Sequence, residues 1–230
     1  MSARLKPNIP CRRIFLQSIS TFALCFTSIT AVAQNPPPNP DSPKKVNTRP
    51  RSSDKPASDP FDGASIERMI GQCVALATEQ GAIVIEMLFA KAPETVRSFL
   101  NLAATGAFDT TLFSRIVKRF VIQGGNLSTS ENWNAELAAR AERKLPDEPS
   151  DLKHVRGIVS MARGDEANTA TTHFFILVGD GSHLDGKFAA FGRVVRGMEV
   201  ADAINRAEAE GEKPLVPVRI TQATIAPCNK

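Results

Sequence analysis

The chain has 230 residues, of which 42% are hydrophobic, enough for one ordinary domain with extensions and too few for two large ones. Its formal net charge is +4, but four basic residues, Arg4, Lys6, Arg12 and Arg13, precede residue 34, where Asp and Glu do not occur. The remainder carries 24 basic (28 − 4) and 24 acidic residues. The charge therefore gives no support to a nucleic-acid-binding function.

Residues 1–33 are typical of an export signal. Basic residues precede an uncharged stretch, Ile14 to Ala33, which ends in small residues before Gln34, and we predict cleavage there. A membrane anchor is the alternative, but the Ser, Thr and Gln residues within the stretch favour a signal. The run CRRIFLQ also resembles a twin-arginine signal, so both the Sec and the twin-arginine route stay open. Either route leads to the periplasm or the medium, and cleavage would leave no stable membrane span.

Residues 34–65 are predicted to be a disordered Pro-rich linker, and residues 66–230 the folded domain. Residues 34–60 contain eight prolines and almost no large apolar side chain, so they bury too little surface to offset their ordering entropy. After signal cleavage only Cys73 and Cys228 remain. An even pair in an oxidising compartment is a disulfide candidate, with two unpaired thiols as the alternative.

The domain begins with two strand-like runs, CVALATE and AIVIEML, joined at Gln80-Gly81, which predicts a hairpin. A helix follows in APETVRSFLNLAATG, with Pro93 near its start and Gly106 as its stop. The remaining pattern predicts a second helix over 198–206 and strands over 111–117, 120–123, 157–161, 173–178, 188–195 and 218–225. Within 126–156, AELAARAERKL looks helical, whereas the prolines after it indicate a loop. Many short strands with two helices favour a closed antiparallel barrel with helices at its ends.

Arg115 is unusual because it lies inside a strand-like run, FSRIVKRFVIQGG. A guanidinium is always charged and has five donors, so a sheet position implies a carbonyl-rich partner. Alternation along strands allows Arg115, Gln123, Val121 and Phe175 to share one surface. From the strand alone, a structural Arg115 paired with a carboxylate such as Glu86 or Asp147 is the alternative.

Several separated blocks resemble the cyclophilins, which are peptidyl-prolyl cis/trans isomerases, over residues 72–227. The blocks are APETVRSFLNLAATGAFDTTLFSRI, RFVIQGG, RGIVSMAR, THFFILV and HLDGKFAAFGRVVRGMEV. The resemblance implies a mainly β fold: a closed eight-stranded antiparallel barrel capped by two α-helices. It also implies that the first and last strands are neighbours, which would bring Cys73 close to Cys228.

By the same resemblance, Arg115 is the catalytic arginine and Gln123 its polar partner at the substrate backbone. The residues implied to bind the substrate are Phe120, Val121, Ala162, Phe175, His183, Leu184 and Phe188. The chain departs from common family residues at Ser114, Val121, His183 and Phe188, which leaves cyclosporin sensitivity and sequence preference open.

The expected activity is rotation of X-Pro bonds in unfolded or flexible polypeptides, by a monomer, to assist folding outside the cytoplasm. Stabilising a twisted amide requires hydrogen-bond donors and a dry pocket, so neither a metal nor a cofactor is expected. Ser182, His183 and Asp185 are too close in sequence to form a hydrolytic triad. A proline-binding module or holdase without catalysis is the competing function.

Overall fold

The computed structural model of the chain describes residues 59–228. The predicted signal peptide and most of the predicted linker lie outside the described residues. Within 59–228, no helix has the length and apolar character needed to cross a membrane. The helices are α1 Ile66–Met69, α2 Pro93–Ala104, α3 Ala135–Ala141 and α4 Met198–Arg206. The strands are β1 Gln72–Thr78, β2 Gly81–Met87, β3 Arg115–Val117, β4 Val121–Gly124, β5 Ile158–Met161, β6 Phe174–Leu177, β7 Ala190–Arg196, β8 Ala209–Glu210, β9 Lys213–Pro214 and β10 Ile220–Pro227.

Eight strands form one antiparallel sheet in the order β10-β1-β2-β7-β5-β6-β4-β3, and β8 and β9 form a separate two-stranded ribbon. The sheet curls into a half-barrel, so the prediction of a closed barrel was wrong. Among residues 59–228, an isolated bridge between Leu112 and Arg219 connects its two edges. The ladder cannot continue because β3 has three residues, and Ile116 on this strand donates its N–H to Glu212 O (2.8 Å) instead of to β10.

One face of the sheet packs on α2 and α4 to make the main core. The predicted apolar face of α2, formed by Val96, Phe99, Leu100 and Ala103, is fully buried. The Phe99 ring lies 4.8 to 5.3 Å from the rings of Phe108, Phe174 and Phe191. Aromatic clusters of this kind contribute strongly to stability because they bury large apolar areas.

The two helices predicted from periodicity, α2 and α4, are both present. Residues 126–156, for which the sequence indicated both a helix and a loop, contain both. Residues 135–141 form α3, whose N-terminus is capped by the Asn134 side chain accepting the N–H groups of Glu136 and Leu137. From Glu142 to Gly157 the chain forms no regular element apart from an isolated bridge at Leu145.

Packed structure begins before residue 66, where the predicted linker was expected to end. Phe61 belongs to the main core, and the Asp59 carboxylate accepts hydrogen bonds from Arg140 (2.6 Å) and Arg143 (3.0 Å). Burial alone would raise the pKa of Asp59, but the two arginines outweigh it and hold this pKa below its usual value. The ion pairs thus hold the start of the domain against α3 and the residues that follow it.

Cys73 and Cys228 are joined by a disulfide, with their Cα atoms 5.0 Å apart. The strands β1 and β10 run antiparallel, with Gln72 opposite Pro227 and Cys73 opposite Ala226. This pairing brings the two ends of the domain together, and the Cα separation suits the covalent link.

Candidate active site

Three neighbouring strands align the polar and apolar residues of the site. Arg115 on β3 lies opposite Gln123 on β4, and Gln123 lies opposite Phe175 on β6. Directly opposite residues of antiparallel strands project to the same face. The three side chains therefore form a row across the face of the sheet opposite the main core.

This row lines a cleft of about 190 Å³. The lining residues are Arg115, Phe120, Val121, Gln123, Ala162, Arg163, Phe175, Leu184 and Phe188. The lining includes every site residue expected from the sequence except His183. It also includes Arg163, which was not expected. The cleft thus has one charged end and predominantly apolar walls.

The Arg115 guanidinium is fixed by two acceptors. Its NH1 donates to Gln123 Oε1 (3.1 Å) and its Nε donates to Glu212 Oε2 (2.7 Å). Since a guanidinium has five N–H donors, these bonds leave three (5 − 2) for a ligand. The carboxylates considered from the sequence pair elsewhere: Glu86 with Arg193 and Asp147 with Arg163.

The apolar walls belong to a cluster separate from the main core. Val121, Phe175 and Leu177 are buried in it, and Phe120, Ala162, Leu184 and Phe188 pack against it while partly exposed. The rings of Phe175 and Phe188 meet edge to face, 6.1 Å apart. Half-covered walls of this kind suit a small apolar ring bound from solvent.

His183 is not among the residues that line the cleft, so its expected part in substrate binding stays a prediction. It lies on the exposed turn Ser182–Leu184, where its ring contacts the Phe120 ring at 5.2 Å between centroids. Leu184 lines the cleft, and His183 lies beside Phe120 at its rim.

Arg163 and Glu212 are site residues that sequence reasoning missed. The Arg163 guanidinium donates to backbone carbonyls of Gly164, Asp165 and Lys187 and lies 5.0 Å from the Phe188 ring centroid. A signal for Arg163 was available, since it follows Ala162 in the recognised run RGIVSMAR. Glu212 had none, because a short polar hairpin carries no periodic pattern.

A second, more polar cleft of about 210 Å³ adjoins the first and shares Gln123, Ala162 and Arg163 with it. His173 lies at this second cleft, and burial lowers its pKa, which favours the neutral ring near pH 7. Across residues 59–228, no three His, Cys, Asp or Glu side chains converge as a set of metal ligands.

Comparisons with known proteins agree on one family. The model of the cyclophilin-type peptidyl-prolyl cis-trans isomerases matches residues 73–225. The chain is 36% identical over 158 residues to the peptidyl-prolyl cis-trans isomerase cypE of Dictyostelium discoideum, covering 68% of this chain and 99% of that protein. It is 36% identical over 148 residues to peptidyl-prolyl cis-trans isomerase A of Dickeya dadantii, covering 61% and 75% respectively.

A solved structure gives the same assignment. A cyclophilin-type isomerase of Cryptosporidium parvum, crystallised in the presence of the dipeptide Ala-Pro, matches with a TM-score of 0.60 and 28% identity. The match covers 67% of this chain and 98% of that one. Fold, cleft and sequence therefore agree, and the chain belongs to the cyclophilin family of peptidyl-prolyl cis-trans isomerases.

Proposed function

We propose that this isomerase acts as a monomer on X-Pro bonds of unfolded or flexible polypeptides outside the cytoplasm of a bacterial cell, with Arg115 as its catalytic residue. Uncatalysed rotation of such bonds takes tens to hundreds of seconds and can limit folding. The observation that carries the proposal is the Arg115 guanidinium, fixed by two acceptors at the edge of an apolar cleft.

The chemistry follows from the amide bond. Its resonance imposes a rotation barrier of roughly 18–20 kcal/mol, and twisting the bond localises a lone pair on the prolyl nitrogen. The free N–H groups of Arg115 donate to that nitrogen in the twisted state and lower the barrier. Phe120, Val121 and Phe175 hold the pyrrolidine ring away from water, which strengthens the interaction.

Gln123 has two tasks in this scheme. Its Oε1 accepts from Arg115, so its Nε2 has both N–H groups available for a carbonyl of the bound polypeptide. A client held at that carbonyl and at the ring leaves only the X-Pro bond free to turn. The relative crystallised with Ala-Pro supports this class of ligand.

The proposed location rests on the predicted export signal and on the disulfide. Disulfides form and persist in oxidising compartments such as the periplasm, and are rare in the cytosol. The chain's two cysteines beyond the predicted signal are paired with each other. We expect N-terminal sequencing of the protein from the periplasm or medium to begin at Gln34; an uncut chain in the cytoplasm would refute export.

The direct test of function is cis/trans exchange in a short X-Pro peptide, followed by NMR with the protein from Gln34 onwards. Arg115→Ala should lower kcat/KM by about 100-fold, the usual order for losing a donor that stabilises a transition state. Arg193→Ala is the matched control, because Arg193 is an exposed arginine paired with Glu86 away from the cleft. Peptide binding without accelerated exchange would instead indicate a proline-binding module or holdase.

A further inference from the structure

Glu212 reaches the site from a distant part of the chain, 97 residues from Arg115. It lies in the turn between β8 and β9, next to Gly211, whose φ of 60° favours glycine. Its backbone carbonyl accepts the N–H of Ile116 (2.8 Å), and its carboxylate accepts Nε of Arg115 (2.7 Å). Backbone and side chain of Glu212 are thus both anchored to β3.

The ribbon that carries Glu212 is itself held in place. Leu215 N–H donates to Glu208 O (2.9 Å) across its base, and Lys118 donates to Ala207 O just before it. Asn205, at the end of α4, donates to Val117 O (2.8 Å). The carboxylate therefore approaches Arg115 from a supported backbone.

The two acceptors of Arg115 contact different nitrogens. Gln123 binds NH1 and Glu212 binds Nε, and two such contacts fix the plane of the rigid guanidinium as well as its position. With Gln123 alone, the plane would be free to rotate about that one hydrogen bond. Among residues 59–228, no other side chain or carbonyl accepts a hydrogen bond from Arg115.

We propose that Glu212 is a positioning residue of the isomerase, which sets the plane of Arg115 so that its free donors face the prolyl nitrogen. The inference rests on the catalytic role proposed for Arg115. Orientation matters because small misplacement of a catalytic group is costly in rate. Both side chains are about half exposed, 42% and 54%, so the ion pair itself adds little to fold stability.

The test compares three variants in the peptide exchange assay, with kcat and KM measured separately. Glu212→Ala should lower kcat about tenfold with little change in KM, since the loss falls on transition-state geometry. Glu212→Gln keeps a carbonyl oxygen for Nε and should retain most of the rate. Glu210→Ala is the matched control: an exposed glutamate of the same ribbon that makes no hydrogen bond with Arg115.

A double-mutant cycle separates positioning from a general structural effect. In the Arg115→Ala background, Glu212→Ala should have no further effect on kcat, whereas independent effects would multiply. Melting temperatures of all variants should match the wild type. An active wild type that is unaffected by Glu212→Ala would overturn the inference alone. A wild type without isomerase activity would overturn the proposed function, and the inference with it.

Discussion

Arg115 lies on a three-residue edge strand, and its guanidinium needs partners that the strand itself does not supply. Gln123 provides one from the adjacent strand, and Glu212 provides the other from a turn far along the chain. The first partner follows from strand alternation and the family resemblance. The second depends on tertiary packing, which the sequence pattern does not encode.

Gln123→Glu tests the two tasks of Gln123 separately. The new carboxylate still accepts from Arg115 but has no N–H to offer a client carbonyl. We expect kcat/KM to fall about tenfold, the order of a lost hydrogen bond to the substrate, while Arg115 stays fixed. Gln123→Asn is the companion variant, since it keeps the amide but shortens its reach. Unchanged kcat/KM in Gln123→Glu would show that the amide N–H groups contact no substrate.

At the scale of elements, the turn Ser182–Leu184 is held at both ends by one residue, His154. Gly181 N–H donates to His154 O (2.8 Å), and the Asp185 carboxylate accepts the His154 backbone N–H (2.7 Å). The His154 ring also contacts Asp185 through Nδ1 at 3.2 Å, while its buried Nε2 has no partner among the described residues. His154 thereby fixes Leu184 in the wall of the cleft.

This arrangement predicts a loss of stability in mild acid. Burial lowers the pKa of His154, and outweighs the opposing effect of Asp185; burial also lowers the pKa of His173. Because both folded-state pKa values lie below the unfolded value of about 6.5, their stabilising contribution is complete above that pH. It is lost as pH falls through the folded pKa values.

We therefore expect the melting temperature to fall between pH 7 and pH 5. His173→Gln removes one of the two contributions and should reduce the fall without abolishing it. A melting temperature independent of pH over this range would contradict the assignment of neutral rings to His154 and His173.

Elements with a clear period were predictable, and those defined by distant contacts were not. The apolar face of α2 follows from helical spacing, and the hairpin of β1 and β2 follows from the turn signal at Gln80-Gly81. Closure of the sheet depends instead on how far the ladder extends at β3, where Glu212, in the turn between β8 and β9, accepts the N–H of Ile116. Similarly, the sequence pattern placed Asp59 in the linker because its partners, Arg140 and Arg143, follow 81 and 84 residues later in the chain.

At the scale of the whole domain, the disulfide is expected to be a large single contribution to stability. It joins residues 155 apart in sequence. Closing so long a loop lowers the entropy of the unfolded chain, which typically stabilises the folded state by about 2–4 kcal/mol. Cys73→Ser combined with Cys228→Ser should lower the free energy of unfolding by about that amount in urea titrations. Reductant should destabilise the wild type in the same way and leave the double variant unchanged. Equal stability with and without reductant would show that the bond contributes nothing.

The link between Cys73 and Cys228 also turns most of the domain into a covalent ring. The exposed residues 164–168 beside the second cleft are the kind of surface loop in which proteases cut. One cut there would break the main chain, yet both fragments would stay attached through the sulfur bridge. Such a nicked enzyme would migrate as one species without reductant and as two with it. Proteolytic damage in this loop would thus leave the two fragments held together.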